Sequence, residues 1–117
     1  MATFTKIKLS GSTSGRQIKV VQTGTAGTAI HTAVSGASDY DEIWLYAVNS
    51  SASTVKLTIE WGGVSAPDDL IEVNIPAESG YVLVVPGLVL NGGLAVAAFA
   101  GTGNVILIGG FVNRISS

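Results

Sequence analysis

Apolar and polar side chains alternate along much of the chain. The alternation is cleanest at Thr54 to Trp61, where Val55, Leu57, Ile59 and Trp61 fall on one side and Thr54, Lys56, Thr58 and Glu60 on the other. A period of two marks a strand with one buried face, so this segment is predicted to be a half-wetted strand. Ile71, Val73 and Ile75 alternate with Leu70, Glu72 and Asn74 in the same way, Ile18 and Val20 flank Lys19, and Ile7 and Leu9 alternate with Lys6 and Lys8. No window carries the three-to-four spacing of a helix. The β-branched residues Val, Ile and Thr also outnumber Leu and the single Met, and such side chains fit a pleated surface better than a helical one.

Four further segments are apolar at consecutive positions: Ile43 to Val48, Val82 to Val85, Leu94 to Ala100 and Val105 to Ile108. In an antiparallel sandwich one face of a strand meets the opposite sheet and the other is normally wet, so these segments ask for a cover on their second face. Turn signals recur about every ten residues, the spacing of a sandwich or barrel of short strands. Among them are Gly11 to Gly15, Asn49-Ser50-Ser51, Gly62-Gly63, Pro86-Gly87 and Asn91-Gly92. Gly24 to Ala33, small and polar, reads as a long loop or a loosely held edge strand. The expected fold is all-β, an antiparallel β-sandwich of jelly-roll-like form with eight or nine short strands. It is expected as one domain over residues 1–117, with 1–15 as an extended N-terminal arm.

Composition changes the picture in one respect. The 117 residues are 47% hydrophobic and only 12% charged, against about 25% charged in an ordinary soluble domain. The shortage is local, because residues 79–113 contain no Asp, Glu, Lys or Arg. A membrane span needs about 20 unbroken apolar residues, and Pro86-Gly87, Asn91-Gly92-Gly93, Gly101 to Asn104 and Gly109-Gly110 interrupt this stretch, so no membrane partner is expected. A net charge of −2 and a pI near 5.1 argue against a nucleic-acid partner, which would call for a basic face. Met1 to Lys6 lacks the apolar core of a secretory signal, so nothing is expected to direct the chain out of the cell whose cytoplasm makes it. The remaining cover for a neutral surface is protein. Val82, Val84, Leu88, Leu90, Val96, Phe99 and Ile106 are the candidate subunit interface, and Trp44 with Tyr46 the candidate aromatic contact surface, since aromatics are enriched where proteins meet.

Candidate chemistry is thin. His31 is the single histidine, and no Gly-x-Ser-x-Gly elbow accompanies it. Asp68, Asp69 and Glu72, and then Asp39, Asp41 and Glu42, are the densest acidic groups, but neither follows the spacing of a calcium loop. Gly11 to Arg16 falls one residue short of a phosphate loop and lacks its lysine. With no cysteine there is no thiolate nucleophile or thiolate metal site. No catalytic residue, metal or cofactor is expected. A small hydrolase using His31 is the weakest alternative, and a carbohydrate-binding module using Trp44 and Tyr46 the stronger one.

Six stretches carry a resemblance: Asp41 to Asn49 (Asp-Glu-Ile-Trp-Leu-Tyr-Ala-Val-Asn), Thr58 to Gly63, Ile75 to Gly80, Val85-Pro86-Gly87, Leu90 to Leu94 and Gly110 to Ile115. Across residues 39–115 the chain resembles the small head decoration, or cement, proteins of tailed bacteriophages, such as those infecting cyanobacteria and other aquatic bacteria. The resemblance implies a β-sandwich or jelly-roll subunit, often a homotrimer, on the outer surface of the phage head. There it would bridge major capsid proteins against the pressure of packaged DNA. The region of Lys6, Lys8 and Arg16 is the expected capsid-facing end. A module of the tail or host-recognition apparatus is the alternative from the same source.

Overall fold

The computed structural model describes residues 2–116. Among them are nine strands and no helix: β1 (Thr3–Ile7), β2 (Ile18–Lys19), β3 (Thr28–Thr32), β4 (Tyr40–Asn49), β5 (Val55–Trp61), β6 (Leu70–Ile75), β7 (Val82–Leu90), β8 (Ala95–Ala100) and β9 (Ile106–Ser116). No described helix is long and apolar enough to cross a membrane.

The strands form two antiparallel sheets. The first runs β1-β9-β4-β7, with β2 also paired to β9; the second runs β3-β8-β5-β6. β1 and β2 lie along the same strand in succession, β1 from Val112 to Ser116 and β2 at Leu107 and Ile108, so together they act as one broken strand. With that pair taken as one, successive strands cross from sheet to sheet except at the β5–β6 hairpin. The result is the eight-stranded wrapping of a jelly roll.

The core is the set of inward positions that the alternation predicts. Ile43, Leu45 and Ala47 from β4, Leu57 and Ile59 from β5, Val96 and Ala98 from β8, and Ile106, Ile108 and Val112 from β9 are fully buried. Each of the larger side chains contributes about 1.5–3 kcal/mol by leaving water. Leu9, Ile18 and Val20 join them, so the N-terminal alternation also reads true. Thr3–Ile7 is no free arm: every one of its residues pairs with β9. Gly24 to Ala33 divides into a loop and the bulged edge strand β3, whose Ile30 is fully buried.

The apolar segments are covered in different ways. In β8, Val96, Ala98 and Ala100 point inward, and the outward positions are Ala95, Ala97 and Phe99. In β5 the predicted wet face is wet only at Lys56, because Thr58 and Glu60 are 3% and 1% exposed. The loop before β3 crosses them. Thr25 Oγ1 donates to Glu60 Oε2 at 2.8 Å and the Gly27 N–H to Oε1 at 2.8 Å. Gly27 is required there, since a Cβ would collide with the Ala98 carbonyl.

Candidate functional site

The outward side of the first sheet is the chain's aromatic face. Trp44 and Tyr46 alternate with the buried Ile43, Leu45 and Ala47, so both point away from the core and are half-exposed. Register places Phe111 opposite Trp44, and Leu83 opposite Tyr46. The Trp44 and Phe111 rings stack at 12° with centroids 6.1 Å apart. Lys6, on the β1 side, holds its ammonium 4.6 Å from the Phe111 centroid. Gly87 of β7 abuts the far side of the indole: with φ at +76°, it sits where a Cβ would lie 2.7 Å from Trp44 Cζ2. A ladder of cation, phenyl, indole and glycine thus crosses all four strands of the path. Tyr46 meets Tyr81 edge to face with centroids at 6.1 Å, and Gln17 Nε2 donates to the Tyr81 hydroxyl. Gly110 lets β4 and β9 close up beneath this ladder, since any Cβ there would strike the Trp44 carbonyl oxygen.

Polar groups within this face are satisfied locally. Glu42 Oε1 accepts from Trp44 Nε1 and from Asn113 Nδ2, both at 2.9 Å. The Trp44 bond first, and the Asn113 bond second, hold its carboxyl below the ordinary range against the opposing effect of burial. Exposed apolar side chains ring the face: Phe4 at 70%, Val89 at 55%, and Tyr81 and Leu83 nearby. A cavity of about 200 Å³, lined by Tyr40, Val89, Leu90 and Asn91, opens at its β7 edge.

A second constellation lies inside. His31 of β3, Asp41 of β4 and Arg114 of β9 meet between the sheets, with Asp41 fully buried and His31 3% exposed. Arg114 Nε donates to Asp41 Oδ1 at 2.7 Å and Nη2 to Oδ2 at 2.9 Å, a two-pronged pair of the strong kind. Oδ2 also accepts the Val34 N–H at 3.1 Å and lies 2.8 Å from His31 Nε2. The Ser10 N–H donates to His31 Nδ1 at 3.0 Å, which assigns the ring proton to Nε2 and makes His31 the donor to Asp41. Burial pushes the Asp41 pKa up, but the hydrogen bonds from Arg114 and His31 together with the Arg114 charge outweigh it, and the net shift is downward. Asp41 in turn raises Arg114.

This interior cluster resembles the acid–imidazole half of a hydrolytic triad. Its other imidazole nitrogen accepts the Ser10 backbone N–H, and Ser10 Oγ accepts the Thr32 N–H at 2.7 Å. What it does by geometry is tie the two sheets and the Ser10 loop together. Alternation alone did not reveal this cluster, although Asp41 inside an otherwise apolar inward series was its signal.

The acidic groups disperse. Asp41 points inward and Glu42 outward, Asp69 Oδ2 accepts the Ser65 N–H at 3.1 Å, and Glu72 pairs with Lys56 at 3.1 Å in the open. Among the described residues no three His, Cys, Asp or Glu side chains converge as a cation site.

The seven candidate interface residues do not form one surface. Val96 and Ile106 are fully buried; their positions in β8 and β9 face the sandwich interior, so no second subunit can reach them. Val82, Val84 and Leu90 pack partly against the core. Phe99 lies half-buried on the outside of the second sheet, opposite Thr58. Leu88 is 42% exposed on the β7 edge. Trp44 and Tyr46 do share one face, together with Phe111, Tyr81 and Leu83. Lys6, placed at the capsid-facing polar end, belongs to this same aromatic face.

The chain matches no protein-family model, no curated protein and no solved structure.

Proposed function

We propose that this chain is a non-enzymatic structural subunit of a tailed-phage virion: a head decoration, or cement, protein. In this reading it works as a homo-oligomer, a trimer by the resemblance, on the outer surface of the capsid, and it bridges neighbouring major capsid proteins. The observation that carries the reading is the outward face of the first sheet. A lone antiparallel sandwich keeps such a face polar, whereas here it is built from Trp44, Phe111, Tyr46, Tyr81 and Leu83. A face of that kind is made to be covered by protein.

The physical task of a cement subunit suits these residues. Apolar burial of about 25 cal/mol per Å² supplies adhesion without catalytic groups, and repetition over a capsid multiplies modest contacts through avidity. The internal ladder keeps the rings in fixed positions, so little side-chain freedom remains to be lost on docking.

The carbohydrate-binding alternative draws less support. Sugar stacking needs an open ring face, and the Trp44 indole has Phe111 on one side and Gly87 on the other.

The reading is tested by mixing purified protein with heads that lack it and sedimenting them. The chain is expected to pellet with the heads at saturating, symmetry-related occupancy and to raise their resistance to heat. Replacing Leu83 by Lys is expected to weaken both. Heads that stay bare would overturn the capsid role, and saturable glycan binding abolished by Trp44→Ala would favour the alternative.

A further inference from the structure

We infer that copies of this chain join head to tail along the two edges of the first sheet, with β1 of one copy lying against the Leu88–Asn91 end of β7 in the next. The inference rests on the reading of the chain as a homo-oligomeric subunit and specifies the contact that builds the oligomer.

Sheet edges are sites of unwanted pairing, and proteins blunt them with proline, charge, bulges or covering loops. Three of the edges here are treated in that way. Beside β3, the Gly11 N–H bonds the Ile30 carbonyl at 2.9 Å and Ser10 Oγ takes the Thr32 N–H, so a loop caps that edge. β6 is short, carries Glu72 in an ion pair with Lys56, and is bracketed by Pro67 and Pro76. In β7, Pro86 offers no N–H, and the register with β4 shifts on both sides of the Trp44–Pro86 and Leu45–Val85 pairs.

Two stretches are less protected: the β1 edge, whose one charge, Lys6, is drawn over the Phe111 ring, and the Leu88–Asn91 end of β7; they lie in the same rows of the sheet. Phe4 pairs with Ile115, which pairs with Tyr40; Lys6, Asn113, Glu42 and Val89 form another row, and Ile7, Val112, Ile43 and Leu88 a third. The open β1 edge and the unblunted end of β7 are therefore opposite ends of one set of rows. β1 runs antiparallel to β9, β9 to β4 and β4 to β7, so a second copy placed beyond β7 with its β1 innermost continues the antiparallel order.

The side chains are matched as well. Phe4, the most exposed large apolar residue at 70%, would reach the cavity of about 200 Å³ lined by Tyr40, Val89, Leu90 and Asn91. Ile7 would fall beside the exposed Leu88. A contact between two different patches is heterologous, and it closes into a ring when the rotation between copies divides the full turn.

The chain has no cysteine, which permits a clean test. Lys6→Cys and Val89→Cys are made as separate proteins and mixed under mild oxidation. Residues directly opposite in an antiparallel pair have Cα atoms about 4.5–5.5 Å apart, within the range of a disulfide. Within one copy these two positions are separated by three strand spacings, roughly 14 Å, so they cannot bond internally. A cross-linked dimer is expected from the mixture and from neither single variant, and the Lys6→Cys/Val89→Cys double variant is expected to form a closed ladder of covalent oligomers. Val89→Lys in the otherwise unchanged chain is expected to weaken association at least tenfold with an unaltered melting temperature. No dimer from the mixture, or dimers formed as readily by either variant alone, would overturn the head-to-tail contact. Failure of the capsid role would appear separately, as cross-links that still form while heads stay bare.

Discussion

The two sheets treat their outward faces in opposite ways. On the second sheet the chain covers part of its own face: the loop through Thr25 and Gly27 is pinned to the Glu60 carboxylate, Thr58 and Glu60 are buried, and what stays open is Lys56 with Glu72, the outward alanines and half-buried Phe99 of β8. On the first sheet the ladder of Lys6, Phe111 and Trp44 lies on the outward side, and its aromatic and aliphatic side chains stand half-exposed. The same cover could have been spent on either face. Leaving it off the more apolar one fits the proposal that this surface meets another protein.

The contrast holds only while the sheets stay joined, so the largest expected effect lies between them. Asp41→Ala leaves Arg114 and His31 without their shared carboxylate, and removing one partner of a buried ion pair costs about 3–5 kcal/mol. Thermal melting should show a drop large enough to threaten folding at ordinary temperatures, and both outward faces should lose definition together.

Next is Glu60→Ala, which would make the second sheet resemble the first. It removes the acceptors of Thr25 Oγ1 and the Gly27 amide, a loss of about 1–3 kcal/mol. Hydrogen exchange at Gly27 should accelerate while amides of β4 and β9 remain protected.

Acid provides a graded version of the first test. The folded-state pKa of Asp41 is lowered from 3.8, so its stabilising contribution is complete above the unfolded value. It is lost as pH falls below about 4 and through the folded value. Melting curves of the wild type should therefore decline through that window, and Asp41→Asn, already weaker, should decline less steeply.

The smallest effect on folding is expected at Leu83→Ser. A single exposed side chain changes stability by about 0.5 kcal/mol or less, yet this one sits in the middle of the aromatic face and should weaken assembly. Melting and sedimentation measured on the same sample separate the two outcomes.

The layers of the fold were legible in the sequence because burial is written with a period of two: Val55, Leu57 and Ile59, or Ile43, Leu45 and Ala47, need only alternate to declare their face. What escaped was whatever depends on partners distant in sequence. Val96 and Ile106 sit in charge-free segments that look uncovered, and only the packing of β8 and β9 shows which half of each segment is inward. Glu60 reads as a wet position until a loop 33 residues away is laid over it. Asp41, flanked by Asp39 and Glu42, looks like one of a solvated group until Arg114, 73 residues later, is brought beside it. Trp44 and Tyr46 were visible as a pair, since two residues on one strand share a face by rule; Phe111 and Leu83 joined them through register, and Tyr81 through its ring contact with Tyr46.

The most direct test of a face kept for other copies is sedimentation velocity of the unmodified chain at micromolar concentration. A single discrete oligomer, displaced toward monomer by Val89→Lys, is the predicted result. A stable monomer throughout that range, with the variant sedimenting as the wild type does, would contradict it.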